Sequence, residues 1–197
     1  MNSASENSNS LPPRTAPITA IDMPKFGFGC APIGDLYLET PETEIKQALD
    51  AAWDAGVRYF DTAPWYGHGL SEHRLGGMLR QHARQDYYIS TKVGRVYVPA
   101  PRGEDKRIQW FGGQNFEVTY DYTAKGLAAS YAQSQLRLGQ SSVDALIIHD
   151  LDQGYHGDKF GGYYEQLRES GLAYLQDLKS RGEISSIGMG INALVDF

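Results

Sequence analysis

Residues 40–63 read TPETEIKQALDAAWDAGVRYFDTA and contain one predicted helix followed by one predicted strand. We expect Thr40 to cap this helix, Pro41 to take its first position, and Gly56 to end it in the left-handed conformation. Between these ends, apolar residues recur at helical spacing and form one stripe that should face a sheet. They are Ile45, Ala48, Leu49, Ala52 and Trp53. A short apolar strand at 57–60 follows, so this stretch is one helix-and-strand unit of an α/β protein.

The same alternation of strands and helices continues on both sides of this unit. Strands are predicted at 25–33, 57–60, 87–91, 143–149 and 184–189, and further helices at 71–81, 123–138 and 163–181. The fourth strand is apolar throughout 145–148, which suits a strand covered on both faces of a parallel sheet. The pattern therefore predicts an α/β fold built on at least five parallel strands.

Two connections, 93–122 and 150–162, are longer than a strand-to-helix connection requires. Both follow the carboxyl ends of strands, where parallel α/β folds place their ligands. The first is rich in aromatic residues, namely Tyr97, Trp110, Phe111, Phe116 and Tyr120. These rings could form the wall of a pocket or simply pack the connection onto the sheet, and the sequence leaves both interpretations open.

Composition argues against several classes of partner. The net charge of −6 and the absence of any basic run disfavour nucleic acid and anionic membranes, which need a basic face. The single cysteine cannot form an internal disulfide, which is compatible with a reducing cytoplasm. Residues 1–22 are rich in Ser, Asn and Pro and lack a long apolar run, so we expect a disordered or loosely attached tail before a domain at 23–197.

Ionisable residues follow three of the predicted strands in succession. Asp61 and Tyr66 come after the second strand, Lys92 ends the third, and His149 ends the fourth. The carboxyl ends of neighbouring parallel strands share one edge of the sheet, so these side chains should converge there. A carboxylate keeps a partly buried lysine charged, and the ammonium then favours the phenolate form of a nearby tyrosine. The sequence therefore predicts a site that transfers a proton.

The stretch at 60–72, FDTAPWYGHGLSE, resembles the catalytic pattern of the aldo-keto reductase family. The resemblance implies that Asp61 and Lys92 form an ion pair, that Tyr66 is the general acid/base, and that His149 orients the substrate oxygen. It also implies an NAD- or NADP-dependent oxidoreductase that passes a hydride between its cofactor and an aldose, hemiacetal, or aldehyde/alcohol substrate. No metal site is expected from the residues themselves, because His68, Glu72 and His73 lack zincin spacing and Asp150 with Asp152 is more typical of a loop turn.

The resemblance also assigns binding residues. The residues expected at the cofactor are Gly29, Cys30, Asp61 and Asn192, and those expected at the substrate are Trp65 and His149. Where the family commonly has a Ser-Asn pair, this chain has Ile191-Asn192, so only the contact of the asparagine with the nicotinamide carboxamide carries over. For Cys30, a buried structural thiol is the alternative to a thiol that lines the site.

The family fold is a (β/α)8 TIM barrel, and only about five of its eight βα units are expected in this chain. Details at 120–122, 136–139 and 149–152 are most similar to the branch of D-threo-aldose 1-dehydrogenases, fucose or galactose dehydrogenases and pyridoxal 4-dehydrogenase. A second hypothesis remains beside the enzyme: a truncated, non-catalytic remnant that acts as a binding or interaction module. Such a remnant would expose open sheet edges, which tend to self-associate.

Overall fold

The computed structural model describes residues 24–192, so the predicted tail at 1–22 lies outside the described residues. The strands are β1 (Phe28–Gly29), β2 (Tyr59–Asp61), β3 (Tyr88–Val93), β4 (Arg95–Pro99), β5 (Phe116–Tyr120), β6 (Ala145–His149) and β7 (Ser186–Gly190). The helices are α1 (Glu42–Asp54), α2 (Leu70–Leu79), α3 (Ala124–Leu138), α4 (Gln153–His156), α5 (Phe160–Gln166) and α6 (Leu172–Ser180).

Five strands form one parallel sheet in the order β1-β2-β3-β6-β7. Helices follow four of these strands, which confirms the predicted α/β class. All six residues of β3 are buried, as expected of a central strand covered on both faces. The apolar core joins the sheet to the helices through buried side chains such as Phe60, Ile89, Leu146, Leu75, Leu127 and Leu175.

Local signals placed most helix ends correctly. The Thr123 hydroxyl accepts a bond from the Gly126 amide at 3.2 Å and caps α3, and Gly139 ends that helix at φ 62°. Gly56 takes the expected left-handed conformation after α1, with φ 89°. The prediction for Thr40 was wrong because Pro41, not Thr40, is the N-cap of α1. The Thr40 amide instead donates to Asp35 Oδ1 at 3.2 Å, which holds it outside the helix.

Both long connections contain regular structure that the sequence pattern did not predict. Residues 93–122 include an antiparallel hairpin, β4 and β5, in which Arg95 pairs with Tyr120 and Pro99 with Phe116. Residues 150–162 include α4 and the start of α5. The helix predicted at 163–181 is divided by a π turn at Leu167–Gly171. A Cβ on Gly171 would lie 2.2 Å from the Tyr122 carbonyl oxygen, so the chain passes very close to the hairpin's end at this turn.

Candidate active site

An ion pair joins the carboxyl ends of β2 and β3. Lys92 Nζ donates to Asp61 Oδ2 at 2.7 Å and to the Thr62 carbonyl oxygen at 3.0 Å. The Ser90 hydroxyl donates to the other oxygen of Asp61 at 2.5 Å. Burial disfavours the Lys92 ammonium, but the Asp61 carboxylate and Tyr66 outweigh this effect, so the pKa of Lys92 lies above its usual value. Lys92 is therefore a buried, permanent cation at this edge of the sheet.

Tyr66 lies against this cation. Lys92 Nζ is 4.7 Å from the centroid of the Tyr66 ring. The loop that carries Tyr66 packs tightly on the turn at Pro32–Gly34: a Cβ on Gly34 would lie 2.6 Å from the Tyr66 carbonyl carbon, and one on Gly67 would lie 2.5 Å from the Gly34 carbonyl oxygen. Gly67 also has φ 68°, a conformation that glycine adopts without strain. Two glycines thus fix the backbone on which Tyr66 stands.

His149 faces Tyr66 from the end of β6. The two rings are perpendicular with centroids 6.0 Å apart. Burial, together with the charges of Arg95 and Lys92, lowers the pKa of His149, so the imidazole is neutral at physiological pH. Its Nδ1 has no hydrogen-bond partner among the described residues, and its Nε2 lies 3.5 Å from Asp150 Oδ2. The structure thus brings Asp61, Tyr66, Lys92 and His149 to one edge of the sheet.

Of the residues assigned to the cofactor, Asp61 ends the inner strand β2, and the other three lie at or just beyond the ends of the outer strands β1 and β7. Gly29 is exposed at the end of β1, and a Cβ there would meet nothing within 4 Å, so its backbone faces open space. Asn192 is exposed just beyond β7, and its Nδ2 donates to Asp150 Oδ1 at 3.0 Å. The Cys30 thiol is fully buried and points toward the Phe28 carbonyl oxygen at 3.6 Å. Burial raises the pKa of this thiol, which gives it the character of a structural side chain.

One of the five aromatic side chains of the long connection packs directly against the candidate site. Trp110 lies with its ring centroid 5.9 Å from Trp65 and 5.9 Å from Tyr66. Tyr97 instead packs the hairpin, because its hydroxyl is buried and donates to the Pro64 carbonyl oxygen at 2.8 Å. Phe111 is 59% exposed. Both interpretations of the aromatic residues therefore apply, each to different rings.

Sequence reasoning missed two buried charge pairs near these residues. Arg95 Nη2 donates to Asp150 Oδ2 at 2.6 Å, and both side chains are almost completely buried. The Glu72 carboxylate accepts from the Thr91 hydroxyl and from Arg137 Nε, both at 2.6 Å, and ties α2 to β3 and α3. In the sequence, these residues appear only as charged residues near apolar runs, and such residues are more often solvated than paired. The pairs join positions 55 and 65 residues apart, which no local pattern connects.

Two kinds of feature are absent from residues 24–192. Within this part of the chain, no group of three or more His, Cys, Asp or Glu side chains could hold a metal ion. No helix among these residues combines the length and apolar character needed to cross a membrane.

A parallel βα sheet whose carboxyl edge holds an Asp-Lys pair, a tyrosine and a neutral histidine defines a barrel-type protein with a site suited to proton transfer. More narrowly, the chain belongs to the aldo/keto reductase family, whose model matches residues 25–194. The resemblance seen in the sequence is thereby confirmed.

Curated relatives and solved structures agree with this assignment. The chain is 37% identical to pyridoxal 4-dehydrogenase of Microbacterium luteolum, covering 88% of this chain and 54% of the relative. It is 35% identical to D-threo-aldose 1-dehydrogenase of a Pseudomonas species, covering 89% and 52%. The structure of a glycerol dehydrogenase from Gluconobacter oxydans matches with a TM-score of 0.60 and 25% identity, covering 85% of this chain and 44% of that one.

These matches also show how much of the family fold this chain covers. The chain spans about half the length of the curated relatives it matches. Its five parallel strands correspond to about five of the eight βα units of the family's (β/α)8 barrel, which confirms the predicted fold class.

Proposed function

We propose that this chain carries the catalytic residues of an NAD- or NADP-dependent oxidoreductase in which Tyr66 is the general acid/base. The observation that supports this most directly is the position of Lys92 between the Asp61 carboxylate, 2.7 Å away, and the Tyr66 ring, 4.7 Å away. A bound nicotinamide would supply or accept the hydride. The remaining chemistry is the movement of one proton at the substrate oxygen.

Tyr66 moves that proton in either direction. In reduction its hydroxyl donates a proton to the substrate carbonyl oxygen, and in oxidation its phenolate accepts the proton of an alcohol. The Lys92 ammonium beside the ring favours the negative charge that develops on the substrate oxygen or on Tyr66 during the transfer. Asp61 has a supporting role, because a lysine with only 8% of its side chain exposed needs a counter-ion to stay charged.

His149 orients the oxygen on which Tyr66 acts. Its ring faces Tyr66 edge-on, and burial keeps the imidazole neutral. A neutral ring adds no second positive charge beside Lys92 and still offers a hydrogen bond to an oxygen atom. His149 can therefore orient the substrate oxygen without adding a positive charge, while Tyr66 transfers the proton.

The cofactor and substrate assignments rest on the positions of these residues and on the relatives. Asn192 would bind the nicotinamide carboxamide, and the open backbone at Gly29, between the buried Cys30 and the neighbouring Asp61, would lie along the cofactor. Trp65 and His149 would contact the substrate, and Trp110 extends the wall formed by Trp65. The two curated relatives are dehydrogenases of pyridoxal and of D-threo-aldoses, which favours an aldose, hemiacetal or aldehyde substrate. The single cysteine, which cannot form an internal disulfide, is compatible with a cytoplasmic location.

The test uses a completed chimera, in which this chain is joined to the part of the Microbacterium luteolum relative that it does not match. Reduction of NAD⁺ and of NADP⁺ is followed by absorbance with a panel of aldoses, cyclic hemiacetals and aldehydes. We expect turnover with at least one cofactor and one substrate of this panel. A folded chimera that binds cofactor and oxidises none of them would contradict the proposed activity.

A further inference from the structure

Arg95 is a buried cation that the proposed chemistry does not use. It is the first residue of β4, directly after Gly94, and is 1% exposed. Its Nη2 donates to Asp150 Oδ2 at 2.6 Å. An arginine so far from solvent requires a reason, because burial of a charge is costly unless the charge is paired.

Three aromatic rings surround the guanidinium group of Arg95. The guanidinium carbon lies 5.1 Å from the ring centroid of Trp65, 5.3 Å from that of Tyr120 and 5.2 Å from that of Tyr155. Its Nε and Nη1 have no hydrogen-bond partner in the part of the chain that the structure describes. Asp150 is therefore the one anion to which Arg95 donates there, and the rings hold the guanidinium plane in place.

Asp150 in turn binds the segment that carries Asn192. Its Oδ1 accepts from Asn192 Nδ2 at 3.0 Å, and its backbone amide donates to the Gly190 carbonyl oxygen at 2.7 Å. Asp152 Oδ2 accepts from the backbone amide of Asn192 at 3.2 Å. Asp150 has φ 50°, a left-handed conformation that a non-glycine residue seldom keeps without strong local bonds.

We propose that Arg95 is a positioning residue that, by holding Asp150, fixes the direction in which the side-chain amide of Asn192 points. A carboxylate can only accept hydrogen bonds, so Asn192 must turn its NH₂ group toward Asp150. Its Oδ1 then faces away as a free acceptor. That acceptor suits a ligand with a primary carboxamide, whose NH₂ group donates. This inference rests on the proposed function in one respect, since the nicotinamide carboxamide is the donor that function supplies.

The first test needs neither cofactor nor turnover. The side-chain NH₂ resonances of Asn192 are recorded by NMR in the ¹⁵N-labelled 197-residue chain, and assigned with Asn192→Ala. We expect one proton to be shifted downfield by its bond to the Asp150 carboxylate. Arg95→Met should lose this shift although Arg95 does not touch Asn192. Arg107→Met is the matched control, because Arg107 pairs with Asp105 on the surface at 2.7 Å and should leave the resonance unchanged.

Further variants keep the test decisive if Arg95→Met does not fold. Arg95→Gln is neutral and polar and should reduce the shift. Arg95→Lys keeps the charge but has a shorter reach and no planar fork, so it should retain part of the shift. An unchanged Asn192 resonance in any folded variant at position 95 overturns the inference.

A second readout separates this inference from the proposed function. In the completed chimera, Arg95→Met should weaken NAD⁺ or NADP⁺ binding about tenfold, the equivalent of one hydrogen bond. If the resonance responds as expected but the chimera has no activity, the positioning by Arg95 stands and the proposed function fails. If the chimera is active and the resonance does not respond, the function stands and the positioning role fails.

Discussion

Replacing Lys92 by methionine tests whether this buried cation serves the chemistry or the fold. Methionine keeps the unbranched shape of the lysine side chain, which is 8% exposed, and removes only the charge and its hydrogen bonds. The lost bonds are those to Asp61 Oδ2 at 2.7 Å and to the Thr62 carbonyl oxygen at 3.0 Å. The perturbation is therefore confined to electrostatics at one point.

The structure sets the expected change in stability. A charge-assisted hydrogen bond contributes roughly 1.5–3 kcal/mol. Asp61 is 32% exposed and keeps its bond to Ser90, so water can solvate the carboxylate once the ammonium is gone. The desolvation cost of the ammonium also disappears. We therefore expect the free energy of unfolding to fall by only about 0–2 kcal/mol.

The expected loss of activity is much larger. Removal of one preorganised charge that stabilises a transition state costs about 10²–10³ in rate, or roughly 2.7–4 kcal/mol in the barrier. Unfolding is measured by urea titration of the 197-residue chain, followed by tryptophan fluorescence, and turnover is measured on the completed chimera. In Lys92→Met, the activation free energy of turnover should rise by more than the free energy of unfolding falls.

Lys46→Met is the matched control. Lys46 pairs with Asp50 on the exposed face of α1, with 63% of the lysine side chain exposed. Exposed pairs of this kind contribute about 0.3–0.5 kcal/mol, so stability and rate should both change little. A Lys92→Met variant that loses more than about 4 kcal/mol, with its folded fraction turning over at the wild-type rate, would refute the reasoning and make Lys92 a structural residue.

Two further predictions concern the 197-residue chain. Burial lowers the pKa of His149 in the folded chain. As the pH falls below about 6.5, the unfolded chain binds a proton at this histidine and the folded chain does not. His149 alone should therefore lower the free energy of unfolding by about 1.4 kcal/mol at about pH 5.5. Urea unfolding near pH 7.5 and near pH 5.5 should show that His149→Gln loses less stability between these pH values than the wild type does, by this amount. Equal losses in the two proteins would contradict the prediction. Met189 is 43% exposed on β7, an outer strand of the described sheet, so the chain should self-associate through this edge and Met189→Lys should reduce the association. Light scattering after size-exclusion chromatography measures the mass, and an unchanged oligomer in Met189→Lys would show that this edge is not the contact.

The features that the sequence predicted well have short-range causes. The helix predicted at 123–138 is observed at Ala124–Leu138, because Thr123 and Gly139 lie next to the helix ends they determine. Asp61 and Lys92 were recognisable because each comes at the end of a predicted strand, and parallel strands bring such ends to one edge of the sheet. The convergence of these residues therefore followed from topology alone.

The features that the sequence did not reveal depend on contacts between distant residues. Only β5 alternates apolar and polar residues, over five positions, whereas β4 buries Arg95 and exposes Val98. In addition, 16 residues separate the two strands. The division between Trp110 at the site and Tyr97 in the packing depends on how that hairpin folds over the sheet. The bond between Arg95 and Asp150 joins two distant segments, and a charged residue in either segment could equally well be solvated. A periodic pattern records which face is apolar, and it does not record which buried charges meet.

The most direct test of the central claim is the rate of Tyr66→Phe in the completed chimera. Phenylalanine keeps the ring that packs against Trp110 and the Lys92 ammonium, and it removes the only hydroxyl that we assign to proton transfer. Circular dichroism and the affinity for the cofactor should remain near the wild-type values. We predict a fall in kcat of about 10²–10⁴, the usual contribution of a positioned acid or base. A kcat close to that of the wild type, with the fold and the cofactor affinity intact, would contradict the role assigned to Tyr66.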